Sequence, residues 1–187
     1  MIIVVTAGFA LVIAFLLYRA PQSPIQNGLL PLLGQKRDAT VRLPIRLKIP
    51  QINIDAAIEY VGVASDGTMD VPKGPNDVAW FELGPRPGEQ GSAVIAGHYG
   101  WKNNIPAAFD AVSTLQKGNK IYVEDDTGVT IVFVVRETRL FDPKADASSI
   151  FESSDGKAHL NLITCEGVWD AVSKSYSKRL VVFTDRE

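Results

Sequence analysis

The sequence predicts a mainly-β fold in which many short strands close into a barrel. Apolar residues recur in short runs of strand length, and Gly, Pro and Asp stand at the joints between the runs. The chain has 187 residues, of which 46% are hydrophobic, enough for one core domain of about 140 residues with appendages. A separate uncharged stretch at the N-terminus predicts one transmembrane helix before the barrel.

The N-terminal element is the apolar segment 2–18, which contains no charged residue. Its length is at the short end of what a helix needs to cross a bilayer. No small-x-small cleavage site follows, which disfavours a signal peptide, and a helix of the core would carry polar residues on one face. The sequence therefore predicts an uncleaved membrane anchor at 1–19.

The next segment, 20–41, is predicted to be a linker, because prolines, glycines and polar residues occur there with a few leucines. Four positive residues follow the anchor, Arg19, Lys36, Arg37 and Arg42, whereas only the chain's amino terminus precedes it. Counted alone, these positive charges favour the downstream domain on the cytoplasmic side. The remaining residues, 42–187, form the predicted barrel domain.

Within this domain the β-rich segments are separated by turn residues. The best-defined hairpin surrounds Asp125-Asp126-Thr127-Gly128, since Thr-Gly after two aspartates is good turn chemistry. Short helical turns are expected at Pro106–Leu115 and Ala147–Phe151. The predicted strands are Leu43–Ile49, Ile52–Ile54, Ala57–Val63, Ser92–Ala96, Lys120–Glu124, Val129–Leu140, Leu160–Thr164 and Leu180–Thr184.

The chain has a single cysteine, Cys165, at the predicted end of the strand Leu160–Thr164. A lone cysteine is most often a small buried hydrophobe. At a strand end, however, a thiol is held on one side and open to a substrate on the other. Arg179 begins the next β-rich run, and pairing of the two runs would bring a fixed cation near the sulfur.

A cysteine nucleophile also needs a proton shuttle, and the chain has only two histidines. His98 follows an apolar strand and lies between Gly97 and Tyr99. His159 precedes Cys165 by six residues, roughly 20 Å along an extended chain, which is too far for a thiol–imidazole contact. His98 is therefore the predicted partner of the thiol, and His159 is predicted to be a structural or surface residue.

These residues carry a family resemblance. The run Leu162-Ile163-Thr164-Cys165, the downstream Arg179 and the upstream Gly97-His98 are similar to the TLxTC, arginine and histidine motifs of the sortases, the cysteine transpeptidases of bacterial surfaces. Asparagine stands at position 161, where the family motif opens with threonine. The resemblance extends over Arg42–Thr184, and Leu47–Asp55 and Gly84–Glu89 are most similar to the class F and class D branches.

The resemblance implies a closed eight-stranded barrel on the outer side of the cell membrane. It also implies a substrate, an LPXTG-like sorting signal cleaved after its threonine. In the implied mechanism Cys165 attacks the threonine carbonyl, Arg179 stabilises the oxyanion, and His98 protonates the departing amine. An amine acceptor, such as a cell-wall precursor or a pilin lysine, then resolves the thioester.

Three further residues are candidates for substrate binding. Trp101 and Trp169 follow the strands of the histidine and the cysteine, where they could line a groove for an extended peptide. Thr164 contacts substrate or forms a local hydrogen bond, since a hydroxyl at a strand end does either.

Composition excludes other classes of partner and cofactor. The net charge of −2 argues against nucleic acid. One cysteine and two distant histidines argue against a zinc site or a disulfide framework, and no metal or other cofactor is predicted, although oxygen ligands for calcium stay open.

Three alternatives differ from a transpeptidase in what they would do. A cysteine hydrolase on the same scaffold would cleave peptide at a rate that ignores added amine. A non-enzymatic surface β-barrel would carry a thiol, imidazole and guanidinium that never meet. An L,D-transpeptidase would require a Ser-His-Gly-Cys type of motif, which this cysteine lacks because Thr164 and Glu166 flank it.

Overall fold

The computed structural model describes residues 41–102 and 105–187. Within these ranges eight strands form one closed barrel, with one short α-helix, α1 (Ser148–Phe151), and 3-10 turns at Pro50–Ile52 and Val112–Thr114. The strands are β1 (Pro44–Ile49), β2 (Ile54–Val61), β3 (Val78–Phe81), β4 (Gly91–Gly97), β5 (Lys120–Asp125), β6 (Thr130–Phe141), β7 (Ala158–Asp170) and β8 (Ser175–Arg186). The predicted closed eight-stranded barrel is confirmed.

The order of the strands around the barrel is β1-β2-β3-β4-β7-β8-β6-β5, with β5 pairing back to β1. Most pairs are antiparallel, but β2 pairs with β3, and β4 with β7, in parallel. Because β4 and β7 run in the same direction, the residues that follow β4 and those near the later part of β7 meet at one edge of the barrel. This edge carries the candidate site.

Apolar residues pack on both faces of the sheet. The barrel interior is filled by buried side chains that alternate along the strands, as Leu160 and Leu162 do on β7. A second, smaller group, here called the outer cluster, lies on the outer face beneath α1. Its buried members are Val94, Ile150, Val181 and Phe183, and its partly buried members are Met69, Phe81, Phe141, Ala147, Phe151 and Ile163.

The number of predicted strands was right only because two errors compensated. Ile52–Ile54 and Ala57–Val63 are not two strands: a 3-10 turn ends at Asn53, whose φ is 56°, and β2 then runs without a break from Ile54. The strand β3 was missed. Its four residues, Val78–Phe81, are nearly all buried, so no polar–apolar alternation marks them in the sequence.

The turn between β5 and β6 confirms the predicted hairpin. The Asp125 carboxylate accepts hydrogen bonds from the Thr127 N–H (2.9 Å), the Thr127 hydroxyl (2.7 Å) and the Val129 N–H (2.9 Å). The first of the two aspartates is therefore part of the turn itself.

Two other expectations concern helices. Of the segment Pro106–Leu115, only Val112–Thr114 forms a 3-10 turn, whereas Ala147–Phe151 contains α1 as predicted. The predicted anchor at 1–19 and linker at 20–41 lie outside the described residues, apart from Val41. None of the helices in the described ranges has the length and apolar character needed to span a bilayer.

Candidate active site

A buried hydrogen bond joins the strands that carry the candidate histidine and cysteine. The paired register of β4 and β7 ends at Ala96 and Ile163. One residue further, the Thr164 hydroxyl donates to the Gly97 carbonyl at 2.8 Å, and Thr164 is only 4% exposed. Neighbouring strands lie about 4.8 Å apart, so His98, which follows Gly97 at the end of β4, comes close to Cys165, which follows Thr164 on β7.

The backbone at the histidine is held from the other side by Phe109. The Phe109 N–H donates to the His98 carbonyl at 3.0 Å, and its ring packs directly on Gly97. A Cβ at position 97 would stand 2.5 Å from that ring, so only glycine allows the approach. The Gly-His pair of the sequence thus has a structural reason.

The orientation of the His98 ring is set by two contacts. Its Nε2 lies 2.8 Å from the Pro72 carbonyl oxygen, which only accepts, so Nε2 carries a hydrogen and donates it. The ring of Trp101 packs on the imidazole, with 4.6 Å between the centroids. With Nε2 engaged, Nδ1 is the nitrogen left to exchange a proton with a substrate.

The thiol lies opposite the arginine. Cys165 on β7 and Arg179 on β8 are direct partners in the antiparallel register, which places their Cβ atoms roughly 5 Å apart on one face of the sheet. Cys165 is half-buried. Burial raises the pKa of its thiol, and the Arg179 guanidinium opposes that rise by stabilising the thiolate.

The guanidinium of Arg179 is held by its own hairpin. Its Nη1 donates to the carbonyls of Tyr176 (3.2 Å) and Lys178 (3.1 Å), and its Nη2 donates to the Ser175 hydroxyl (3.3 Å). In the described part of the chain no carboxylate forms an ion pair with it. The cation is therefore positioned by long, neutral hydrogen bonds and its charge is free to act on an anion.

The strand does not end at the cysteine, which corrects the prediction made for this stretch. β7 continues to Asp170 through a bulge between Glu166 and Trp169, where Gly167 has a φ of +88°. The Val168 N–H donates to the Ser177 hydroxyl at 3.0 Å inside this irregularity. Bulges bend a strand and re-aim its side chains, and this one begins at the residue after Cys165.

The second histidine lies elsewhere on β7. His159 is 4% exposed, and its Nδ1 and Nε2 lie 2.9 Å from carboxylate oxygens of Asp185 and Asp155, respectively. A cavity of about 240 Å³ is lined in part by His159 and Asn161, and another of about 370 Å³ by Gly88 and Arg186; neither includes Cys165. The candidate site around Cys165 therefore lies apart from both cavities.

Comparison with known proteins shows the family of the chain. A family model for the Sortase domain matches residues 47–187, which is most of the chain. The chain belongs to the sortase family. Sortases are cysteine transpeptidases, and this sortase is therefore an enzyme of that type.

Solved structures of other sortases share the fold. Sortase C-1 from Actinomyces oris is 26% identical, with a TM-score of 0.61 over 77% of this chain and 74% of that chain. Sortase C1 from Streptococcus agalactiae, in complex with MTSET, is 24% identical, with a TM-score of 0.60 over 78% of this chain and 69% of that chain. Sortase A from Corynebacterium diphtheriae is 24% identical, with a TM-score of 0.59 over 79% of this chain and 62% of that chain. No curated protein matched the chain.

Of the other predicted site residues, the structure places Trp101 against His98, as described above. Trp169 lies on β7 beyond the bulge, not in a loop, and is 52% exposed. The Thr164 hydroxyl is buried and bonded to Gly97, which favours the local hydrogen-bonding role over substrate contact.

Sequence reasoning missed an aromatic residue of this sortase's site. Tyr176 faces Trp169 across the hairpin, with 5.1 Å between the ring centroids, and also contacts Tyr99, with 5.4 Å. The only sequence signal for Tyr176 was its position three residues before Arg179, which was already a candidate.

Proposed function

We propose that this sortase cleaves an LPXTG-like sorting signal after its threonine and transfers the new carboxyl end to an amine. Two observations support the proposal. The Thr164 hydroxyl, one residue before Cys165, donates to the carbonyl of Gly97, one residue before His98, and Cys165 and Arg179 are direct partners in the β7–β8 register.

The first half-reaction follows from these positions. The Cys165 thiolate attacks the threonine carbonyl, and a C–S bond forms while the carbonyl oxygen becomes an oxyanion. The Arg179 guanidinium stabilises this oxyanion. The C–N bond then breaks, and His98 as imidazolium gives its Nδ1 proton to the departing amine while Nε2–H stays on the Pro72 carbonyl.

The second half-reaction reverses these roles. An incoming amine attacks the thioester, His98 Nδ1 accepts its proton, and the C–S bond breaks to regenerate the thiolate. We propose a cell-wall precursor or a pilin lysine as the acceptor. Water would give the hydrolysis product instead.

The outer cluster supports an apolar residue in the signal. Ile163 lies two residues before Cys165 on the same face of β7 and is only partly buried. Met69 and Phe81 are also partly buried members of this group. An extended peptide whose scissile carbonyl reaches the sulfur would find this apolar surface beside it.

Membrane attachment and subclass are parts of the same proposal. We propose that 1–19 anchor the chain in the cell membrane with the barrel outside the cell. We also propose that this sortase is most similar to class F and class D sortases. Protease treatment of intact cells tests the topology: degradation of the barrel domain is expected, and its protection until lysis would contradict the proposed orientation.

The activity is tested by incubating the full chain with an LPXTG-type peptide library and a primary amine, and by reading cleavage and ligation by mass spectrometry. Ligation that rises with amine concentration is expected, and Cys165→Ala is the control. Cleavage at a rate independent of amine would instead identify a hydrolase. Absence of both reactions with every peptide would contradict the proposed substrate class.

A further inference from the structure

Tyr176 contacts residues close in the chain to each of the three proposed catalytic residues. Tyr176 lies on β8 three residues before Arg179, and its carbonyl accepts a hydrogen bond from the Arg179 Nη1. It faces Trp169, four residues after Cys165 on the paired strand. Tyr176 is therefore fixed to the hairpin that carries both the thiol and the guanidinium.

The same ring reaches the segment that follows the histidine. Tyr99 is the next residue after His98, and its ring packs edge-on against Tyr176 at an interplanar angle of 78°. The Tyr176 hydroxyl lies against Gly100, where an added Cβ would stand 2.8 Å from it. The hairpin and the histidine segment thus contact each other through this tyrosine.

Asp110 fixes the backbone at Gly100, which the Tyr176 hydroxyl contacts. Asp110 accepts hydrogen bonds from the Gly100 N–H (2.7 Å) and the Ala107 N–H (3.0 Å). Burial raises the pKa of Tyr176, and the charges of Cys165 and Asp110 raise it further. The phenol is therefore neutral at physiological pH, within the electrostatic reach of the thiolate.

We propose that Tyr176 is a positioning residue for transpeptidation, whose ring packs the His98 segment against the hairpin of Cys165 and Arg179. This inference rests on the proposed function. Edge-to-face ring contacts of this kind have a preferred geometry, so they fix distance and angle between two segments more tightly than an aliphatic contact does. A shift of about 1 Å at such a position can cost about 10²-fold in rate.

Three variants test this role in the full chain, with kcat and KM for signal peptide and amine measured separately. Tyr176→Leu should lower kcat at least tenfold with less than a threefold change in the peptide KM. Tyr176→Phe keeps the ring and should retain at least half of the wild-type kcat. Tyr99→Leu removes the same contact from the other side and should reproduce the loss of kcat.

The matched control is Tyr60→Leu. Tyr60 on β2 makes a comparable edge-on contact with Trp80, at 5.6 Å, on a strand that pairs with neither β7 nor β8. It should change the melting temperature without lowering kcat. Equal kcat values for the Tyr176→Leu and Tyr60→Leu variants, or a Tyr176→Phe variant as impaired as Tyr176→Leu, would overturn the assignment.

The wild type separates this inference from the proposed function. If wild-type protein neither cleaves nor ligates any peptide, the proposed function fails first. If the wild type is active and the Tyr176→Leu and Tyr99→Leu variants match it, only the role of Tyr176 is refuted. Should the Tyr176→Leu variant fail to fold, Tyr99→Leu decides, because Tyr99 lies outside the barrel strands.

Discussion

The start and the middle of strand β7 present their polar groups in opposite ways. Near the start, His159 is buried between the carboxylates of Asp155 and Asp185, so both ring nitrogens have partners. In the middle, Cys165 is half-buried opposite Arg179, whose guanidinium is bonded to carbonyls and a hydroxyl but to no carboxylate within the described ranges.

The difference shows how one strand provides both rigidity and reactivity. A buried polar group with every partner in place stabilises a fold, and a change there is costly. A thiol and a cation that lack strong partners are available to a substrate. The contacts of His159 therefore hold β7 against β8, and the same pairing aligns Cys165 with Arg179.

The largest expected effects separate activity from stability along β7. Cys165→Ala should lower transfer at least about a thousandfold while leaving the melting curve nearly unchanged, because the nucleophile is lost and little packing changes. His159→Gln should do the reverse: stability falls by about 1–3 kcal/mol and the folded enzyme stays active. Transfer assays and denaturant titrations check both, and transfer by the Cys165→Ala variant above about a thousandth of the wild-type rate would contradict the account.

The cation opposite the thiol is expected to matter next. Arg179→Lys keeps the charge but loses the planar fork, and transfer should fall by about 10²-fold with little change in the pKa of the Cys165 thiol. Arg179→Gln removes the charge as well, so this pKa should rise further.

The thiol pKa can be read from the pH dependence of alkylation by iodoacetamide. Since burial already raises the pKa of Cys165, the alkylation rate should climb about tenfold per pH unit below that pKa. A plateau at the same pH in the Gln variant and the wild type would show that Arg179 does not act on the sulfur.

The hydrogen bond between β7 and β4 has a matched control, a buried threonine bond between β8 and β7. The buried Thr164 hydroxyl donates to Gly97 at the site edge, and the buried Thr184 hydroxyl donates to Leu160 at 2.7 Å, near His159. Thr164→Val and Thr184→Val should each cost about 1 kcal/mol of stability. Only Thr164→Val should also lower kcat, by about tenfold, because His98 and Cys165 then lose alignment.

Equal kcat values for the two threonine variants would remove the proposed role of this bond. Stability is read from denaturant midpoints and activity from amine-dependent ligation. The comparison is internal, since both substitutions remove one buried hydroxyl and add one methyl group.

The smallest expected effect concerns acid stability at the His159 end. The His159 imidazole and nearby donors hold the pKa of Asp155 well below its usual range. A depressed carboxylate pKa adds stability above the unfolded value of about 4, and this contribution is lost as the pH falls through the folded value. Asp155→Asn should therefore flatten the loss of stability below about pH 4, measured by thermal melts at several pH values, and an unchanged acid limb would contradict the assigned pairing.

The sequence predicted the barrel from its many short β-rich runs, and it suggested the three proposed catalytic residues because candidates were few and matched the motifs of a known family. One cysteine, two histidines and an arginine at the start of a β-rich run left little choice. It did not predict β3, since a buried four-residue run carries no periodic signal. The bulge after Cys165 was also missed, because Glu166-Gly167 reads as a loop unless the partner strand is known.

Other features of the molecule depend on tertiary contacts that a single sequence does not encode locally. Tyr176 meets Tyr99 across 77 positions of the chain, and His159 meets Asp185 across 26. Neither pair follows from local propensity. Each becomes visible only when the strand order around the barrel places the segments together.

The central claim, that His98 and Arg179 both act on a peptide bound at Cys165, is tested most directly by single-turnover acylation. Enzyme in excess over an LPXTG-type peptide is quenched at intervals, and the mass of the adduct is measured for the wild type, His98→Gln and Arg179→Gln. We expect a thioester on Cys165 that ends at the threonine, formed at least about 10²-fold more slowly in each folded variant. A folded variant of either residue that acylates at the wild-type rate would contradict the claim.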